Sequence, residues 1–103
     1  MSGIRIAGRL KTWPGDLEAI RSGNKRAEIR RIDDRAFRVG ETWELFGWDP
    51  IDKVELDPAR VPPVMIRLTH IEVLAGPLMI FGRSRDQLAP LPLAVLSFEV
   101  LHG

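Results

Sequence analysis

The amino-acid sequence predicts a mainly β domain, in which five or six short strands and one short helix form a small closed or partly closed barrel. Apolar and polar residues alternate in five or six separate segments, which is typical of strands with one buried face. Only one segment has helical spacing, and glycine, proline and aspartate separate the segments. Closure into a barrel is favoured because it leaves no exposed strand edge.

The first two elements are predicted to be a strand and a helix. Residues 4–10 alternate in polarity and predict the first strand. Pro14 suits the first turn of a helix, and Gly23 suits the left-handed position that follows the last turn. Apolar residues recur at helical spacing between them, so the helix is predicted over residues 14–22.

Four more strands are predicted downstream. Residues 25–32 alternate in polarity and place Glu28 and Arg30 on one face of the second strand. The remaining strands are predicted at residues 42–48, 64–74 and 93–101. Residues 49–63 and 76–92 are predicted to be loops because proline and polar residues interrupt the alternation.

The length and amino-acid composition of the chain exclude several kinds of functional site. The chain has 103 residues, which predicts a single domain over residues 1–103. It has no cysteine, which excludes disulfides, thiolate metal sites and cysteine nucleophiles. With two histidines and no long apolar run, we expect no metal, no cofactor, no membrane segment and a cytoplasmic location.

Charge is distributed unevenly along the chain. Residues 1–40 contain ten basic and five acidic residues, whereas residues 41–103 contain five basic and nine acidic residues. A basic half can attract a phosphate or a nucleic-acid backbone. The same imbalance is also compatible with an ordinary solvated surface.

The densest chemistry lies in residues 23–30, Gly-Asn-Lys-Arg-Ala-Glu-Ile-Arg. Glu28 and Arg30 are predicted to lie about 7 Å apart on one strand face, with Lys25 just before the strand. If this face is partly buried, its charges must pair with each other or meet a ligand. The alternative is an ordinary exposed ion pair of little energetic weight.

Lys11 and Trp13, just before the helix, complete a candidate site. Together with the motif they offer cations for a phosphate, the Glu28 carboxylate for a base edge and the Trp13 ring for stacking. Alternatively, Trp13 closes the core over the helix.

The order of these motifs resembles the ASCH superfamily and, within it, the DUF3850 family of small phage and bacterial proteins. The resemblance rests on Leu-Lys-Thr-Trp-Pro at residues 10–14, the helix, Gly23-x-Lys25-x-x-Glu28-x-Arg30, and Phe-x-Val-Gly-Glu-Thr at residues 37–42. It implies a PUA-like β-barrel with a cleft that binds RNA or nucleotides beside the helix. The implied cleft residues are Lys11, Trp13, Lys25, Glu28 and Arg30. Gly8 stands where the family often has a histidine.

The first functional hypothesis is a module that binds single-stranded RNA or a modified nucleotide. Trp13 would stack on a base, and Glu28 would accept a hydrogen bond from a base amino group. The phosphate contacts would come from arginines, namely Arg26, Arg30, Arg31 and Arg35.

The second hypothesis is an enzyme. Some ASCH-like proteins remove the acetyl group from N4-acetylated cytidine with a lysine and a threonine three residues later. Lys25 matches that lysine, whereas Glu28 replaces the threonine and could activate a water, with Lys25 stabilising the oxyanion. Glu72 could supply a second carboxylate for this hydrolysis. Other members of the superfamily are ribonucleases, for which His70 could serve as acid or base.

The third hypothesis is a protein-interaction module, such as a phage inhibitor of a host protein. The apolar residues 78–81 and the proline-rich residues 88–92 could form an exposed patch. A second copy of the chain could cover such a patch, giving a homodimer.

Overall fold

The computed structural model describes residues 5–32, 35–74 and 93–101. These residues form one helix and six strands. In chain order they are β1 (Ile6–Thr12), α1 (Pro14–Arg21), β2 (Ala27–Arg31), β3 (Thr42–Asp49), β4 (Val54–Glu55), β5 (Val64–Val73) and β6 (Leu93–Leu101). The apolar residues 78–81 and the proline-rich residues 88–92 lie outside the described part of the chain.

The mainly β class with one short helix is confirmed, and most predicted elements are present within two residues of their predicted bounds. The helix ends as predicted, because Gly23 has a φ of +85°. The assignment of residues 49–63 entirely to a loop was wrong, since β4 pairs with β3 there. Both residues of β4 are exposed, so no polarity pattern marks it.

The strands form one open sheet rather than a closed barrel. Their order is β1-β3-β5-β6-β2, and β4 pairs with β3 beside this path. β1 and β3 are parallel, whereas the other pairs are antiparallel. No backbone ladder joins β1 to β2 within residues 5–32, 35–74 and 93–101. A side chain bonds there instead: Nη1 of Arg30 donates to the Lys11 carbonyl oxygen, the kind of acceptor that a neighbouring strand would use.

The core lies between the helix and one face of the sheet. Leu17 and Ile20 are the buried residues of α1, and the helix contacts β3 and β5. The sheet contributes alternate apolar residues, as the polarity pattern predicted for β5 and β6. The main members are Leu10, Trp43, Leu45, Val64, Ile66, Leu68, Ala94, Leu96 and Phe98.

Candidate functional site

β2 turns Glu28 and Arg30 toward the protein, whereas Ile29 and Arg31 are exposed on its other face. The Glu28 side chain is only 9% exposed, whereas Ile29 is 60% exposed. Glu28 lies opposite the core residue Leu96 of β6, and opposed residues of an antiparallel pair share a face. The charged face of β2 therefore continues the core face of β6 at the border of the sheet.

The Glu28 carboxylate is held through one of its oxygens. Nε of Arg30 donates to Oε1 of Glu28 at 2.6 Å. Nζ of Lys25 lies 3.8 Å from Oε2, beyond hydrogen-bond distance, and donates instead to Asp16 at 3.1 Å. Among the described residues, Oε2 accepts no hydrogen bond. This buried carboxylate therefore has an acceptor oxygen that is held near two cations and is available to a ligand.

Arg30 joins the two outer strands. Its Nη1 donates to the Lys11 carbonyl oxygen at 2.9 Å, and its Nη2 donates to the Thr12 hydroxyl oxygen at 3.3 Å. Together with the bond to Glu28, these contacts engage all three of its nitrogens. Arg30 therefore fixes the width of the gap between β1 and β2, and with it the position of Glu28.

The end of α1 positions Lys25. The Lys25 backbone N–H donates to the Ala19 carbonyl oxygen at 3.0 Å, which anchors the residue to the last turn of the helix. Gly23 allows this turn because a positive φ is strained for other residues. The Lys25 ammonium is thereby brought next to Asp16 and Glu28.

A cavity of about 280 Å³ opens above this ionic cluster. Its lining contains Lys11, Thr12, Trp13, Asp16, Lys25, Glu28, Ile29 and Arg30. Trp13 is 62% exposed, so it does not close the core over the helix. It precedes α1 with an extended backbone and leaves its ring at the surface. Trp13 and Ile29 thus provide two exposed apolar surfaces beside a buried carboxylate.

A second cavity of about 360 Å³ shares Lys11, Ile29 and Arg30 with the first. It also includes Arg31 and Arg35, so its described lining contains four basic side chains and no acidic one. We refer to the two cavities together as the cleft. The cleft runs along the gap between β1 and β2, with its basic end beside Arg31 and Arg35.

Lys11 also has an aromatic neighbour. Its Nζ lies 4.0 Å from the ring centroid of Trp48 on β3, a cation–π contact. Trp48 lines neither cavity, so this contact holds the ammonium group toward β3, on the side of β1 away from the gap.

Some predicted residues lie away from the cleft. Arg26 lines another cavity, together with Arg21 and residues of β6, and its Nε donates to the Gly23 carbonyl oxygen at 3.3 Å. His70 and Glu72 contact each other at 3.1 Å on an exposed stretch of β5 and line neither cavity of the cleft. The structure thus brings together seven of the predicted residues: Lys11, Trp13, Lys25, Glu28, Arg30, Arg31 and Arg35.

Gly8 packs directly against a core ring. A Cβ atom built on Gly8 would lie 2.6 Å from Cζ3 of Trp43, so a larger residue requires Trp43 to move. Gly8 thus belongs to the packing of the Trp43 ring and lines neither cavity of the cleft.

A second ionic cluster was not predicted from the sequence. Arg9 on β1 bonds to Glu44 of β3 at 2.7 Å and to both carboxylate oxygens of Glu55 on β4 at 3.0 Å. These bonds, with Glu55 first and Glu44 second, raise the pKa of Arg9, and the Arg9 bond lowers the pKa of Glu55. Arg9 also lies 4.2 Å from the centroid of the Phe46 ring. No local signal marks this cluster, because its members are 35 and 46 residues apart in the chain.

The described residues contain neither a candidate metal site nor a helix that could span a membrane. No group of three histidine, aspartate or glutamate side chains there is arranged to hold a metal ion. The single helix of the described ranges is too short and too polar to cross a bilayer.

The fold and the site define a small mainly β domain with a basic cleft between its two outermost strands. Residues 8–56 match the family described as "Domain of unknown function (DUF3850)". This match supports assignment of the segment to DUF3850, and it includes every residue of the cleft described above. No curated protein matches the chain significantly.

Proposed function

We propose that this chain is an ASCH/PUA-like module that binds single-stranded RNA or a nucleotide in the cleft between β1 and β2. The observation that carries the proposal is the Glu28 carboxylate, which is nine-tenths buried and keeps one oxygen without a hydrogen bond among the described residues. Arg30 pairs with one oxygen of this carboxylate, and the other oxygen supplies an acceptor at the cavity that a polar ligand can use.

The surroundings of Glu28 fit the parts of a nucleotide. Trp13 offers an exposed ring for stacking, which is a main source of affinity for unpaired bases. Glu28 and Lys25 offer an acceptor and a donor for the edge of that base. The basic second cavity, with Lys11, Arg31 and Arg35, would bind the phosphate.

Inward-pointing charges also protect strand edges from pairing with other chains. That role alone requires neither an exposed tryptophan nor a cavity beside the charges. The combination of Glu28, Trp13 and a neighbouring basic cavity favours ligand binding over edge protection.

The test is a thermal-shift screen with nucleosides, nucleotides and short RNAs, followed by calorimetric titration of each hit. We expect Lys25→Ala and Glu28→Ala to remove binding, while Lys53→Ala, an exposed lysine in the turn before β4, leaves it unchanged. Unchanged binding by both cleft variants would show that the proposed site is wrong. Silence across the panel would instead favour a protein partner.

A hydrolase remains the second candidate because Lys25 Nζ and Glu28 Oε2 lie 3.8 Å apart at the cavity surface. Such a pair could activate water and stabilise an oxyanion. Thr12 is a poor nucleophile here, because its hydroxyl is buried and donates to the Leu10 carbonyl oxygen. Including N4-acetylcytidine in the screen and following its product by chromatography tests this candidate. For a hydrolase, Glu28→Gln would abolish turnover while binding persists.

A further inference from the structure

Glu28 and Lys25 give the first cavity a defined hydrogen-bonding polarity. An ionised carboxylate only accepts hydrogen bonds, and an ammonium group only donates them. Oε2 of Glu28 accepts none from the described residues, and Lys25 uses one of its three N–H groups on Asp16. A ligand in this cavity therefore meets an acceptor and a donor whose atoms are 3.8 Å apart.

The burial of the lining sets the direction from which a flat ligand enters. Trp13 and Ile29 are largely exposed at the mouth, whereas the Glu28 side chain is the most buried charged group of the lining. A ring that contacts Trp13 and Ile29 with its faces presents an edge to the interior. The exocyclic group projects furthest from that edge and meets the Glu28 carboxylate first.

We propose that this cavity selects bases with an exocyclic amino group, as in cytosine and adenine, over their oxo counterparts uracil and hypoxanthine. The proposal rests on the nucleotide binding proposed above. An amino group donates to Oε2 of Glu28, and the adjacent ring nitrogen accepts from Lys25. An oxo group at the same position places an acceptor against the carboxylate, and the adjacent ring N–H of the oxo base places a donor against the Lys25 ammonium, so both contacts are mismatched.

Arg30 makes the proposal testable through one substitution. Because Nε of Arg30 donates to Oε1, only the amide oxygen of a glutamine at position 28 can take the place of Oε1. The amide NH₂ must then occupy the position of Oε2. Glu28→Gln therefore converts the acceptor that faces the ligand into a donor and should remove the preference for amino bases, since each base then has one matched and one mismatched contact.

The experiment compares the 5′-monophosphates of cytidine and uridine, and those of adenosine and inosine, by calorimetric titration. We expect the amino member of each pair to bind roughly 5- to 100-fold more tightly. Glu28→Gln should bring this ratio close to one, whereas Glu18→Gln, on the exposed side of α1, should keep it. Circular dichroism establishes that each variant folds, and the wild-type ratios decide the question if Glu28→Gln does not fold.

Two further outcomes would overturn the inference while leaving the proposed function intact. These are equal binding of both members of each pair, and an equal loss for both members in Glu28→Gln. Absence of binding by all four nucleotides and by short oligomers of the same bases would reject the proposed function together with the inference.

Discussion

Two ionic clusters flank β1, and they differ in how deeply their carboxylates are buried. The surface cluster consists of Arg9, Glu44 and Glu55, whose carboxylate side chains are 21% and 36% exposed. The cleft cluster consists of Asp16, Lys25, Glu28 and Arg30. Its Glu28 side chain is nearly buried. In the surface cluster Arg9 bonds to both oxygens of Glu55 and to one oxygen of Glu44. In the cleft cluster Oε2 of Glu28 accepts no hydrogen bond from the described residues.

The comparison separates a structural ion pair from a candidate binding group. Arg9 connects β1, β3 and β4, which are already neighbours in the sheet, so its bonds need no further partner. Arg30 connects β1 and β2, which share no backbone ladder in the described part of the chain. The gap that this leaves is the cleft. Charges at an unpaired border of the sheet are therefore the ones that a ligand can reach.

The largest expected effect is on stability when the buried carboxylate is removed. Glu28→Ala leaves the Arg30 guanidinium without its carboxylate and should lower the free energy of unfolding by about 2–3 kcal/mol. This is below the loss for a fully buried pair because Arg30 and Lys25 retain access to water. Urea denaturation measures the change. A loss no larger than that of Glu44→Ala would contradict the distinction between the two clusters.

The next largest effect is a loss of binding affinity with little change in stability. Trp13→Ala should weaken nucleotide or RNA binding by roughly 5- to 100-fold, since base–aromatic stacking contributes about 1–3 kcal/mol per base. The melting temperature should hardly change because the ring is mostly exposed. Calorimetric titration and thermal denaturation of the same sample provide both values. A large drop in melting temperature with unchanged affinity would assign Trp13 to the core instead.

A smaller effect is expected on the salt dependence of RNA binding. Lys11→Gln and Arg31→Gln should each reduce the slope of log K against log salt concentration by about 0.7, the value for one lost phosphate contact to a single strand. Arg26→Gln should leave the slope unchanged, because Arg26 lines a cavity outside the cleft. Fluorescence anisotropy with a labelled short RNA gives these slopes. An equal decrease of the slope for Arg26→Gln would show that the RNA backbone also contacts the cavity beside Arg26.

The smallest effect is the pH dependence of the surface cluster. The Arg9 bond lowers the pKa of Glu55 from its ordinary value of 4.5, so this pair stabilises the fold above that pH. Its contribution is lost as the pH falls through the lower pKa of the folded state. The difference in melting temperature between the wild type and Glu55→Gln should therefore be constant near neutral pH and shrink in acid. A difference that grows in acid would contradict this sign.

The sequence predicted the elements whose residues alternate over several positions. In β6, and in β5 as far as Leu68, alternate residues face the core, so the polarity pattern predicts the buried face directly. It also grouped Glu28 with Arg30 on one face of β2, because that grouping depends only on the two-residue period of a strand.

Features that depend on long-range neighbours could not be predicted in this way. β4 has two exposed residues and owes its existence to pairing with β3. The open border between β1 and β2 depends on Arg30 reaching a carbonyl oxygen 19 residues away. Ile29 is exposed because it lies on the face of β2 opposite Glu28, away from the core face of β6.

The most direct test of the account is to map amide chemical shifts of the ¹⁵N-labelled protein during titration with cytidine 5′-monophosphate. The account predicts the largest changes at Lys25, Glu28 and the Trp13 indole N–H, with the signals of Arg9, Glu44 and Glu55 nearly unchanged. Changes centred on the surface cluster or on the cavity beside Arg26, with none in the cleft, would contradict it.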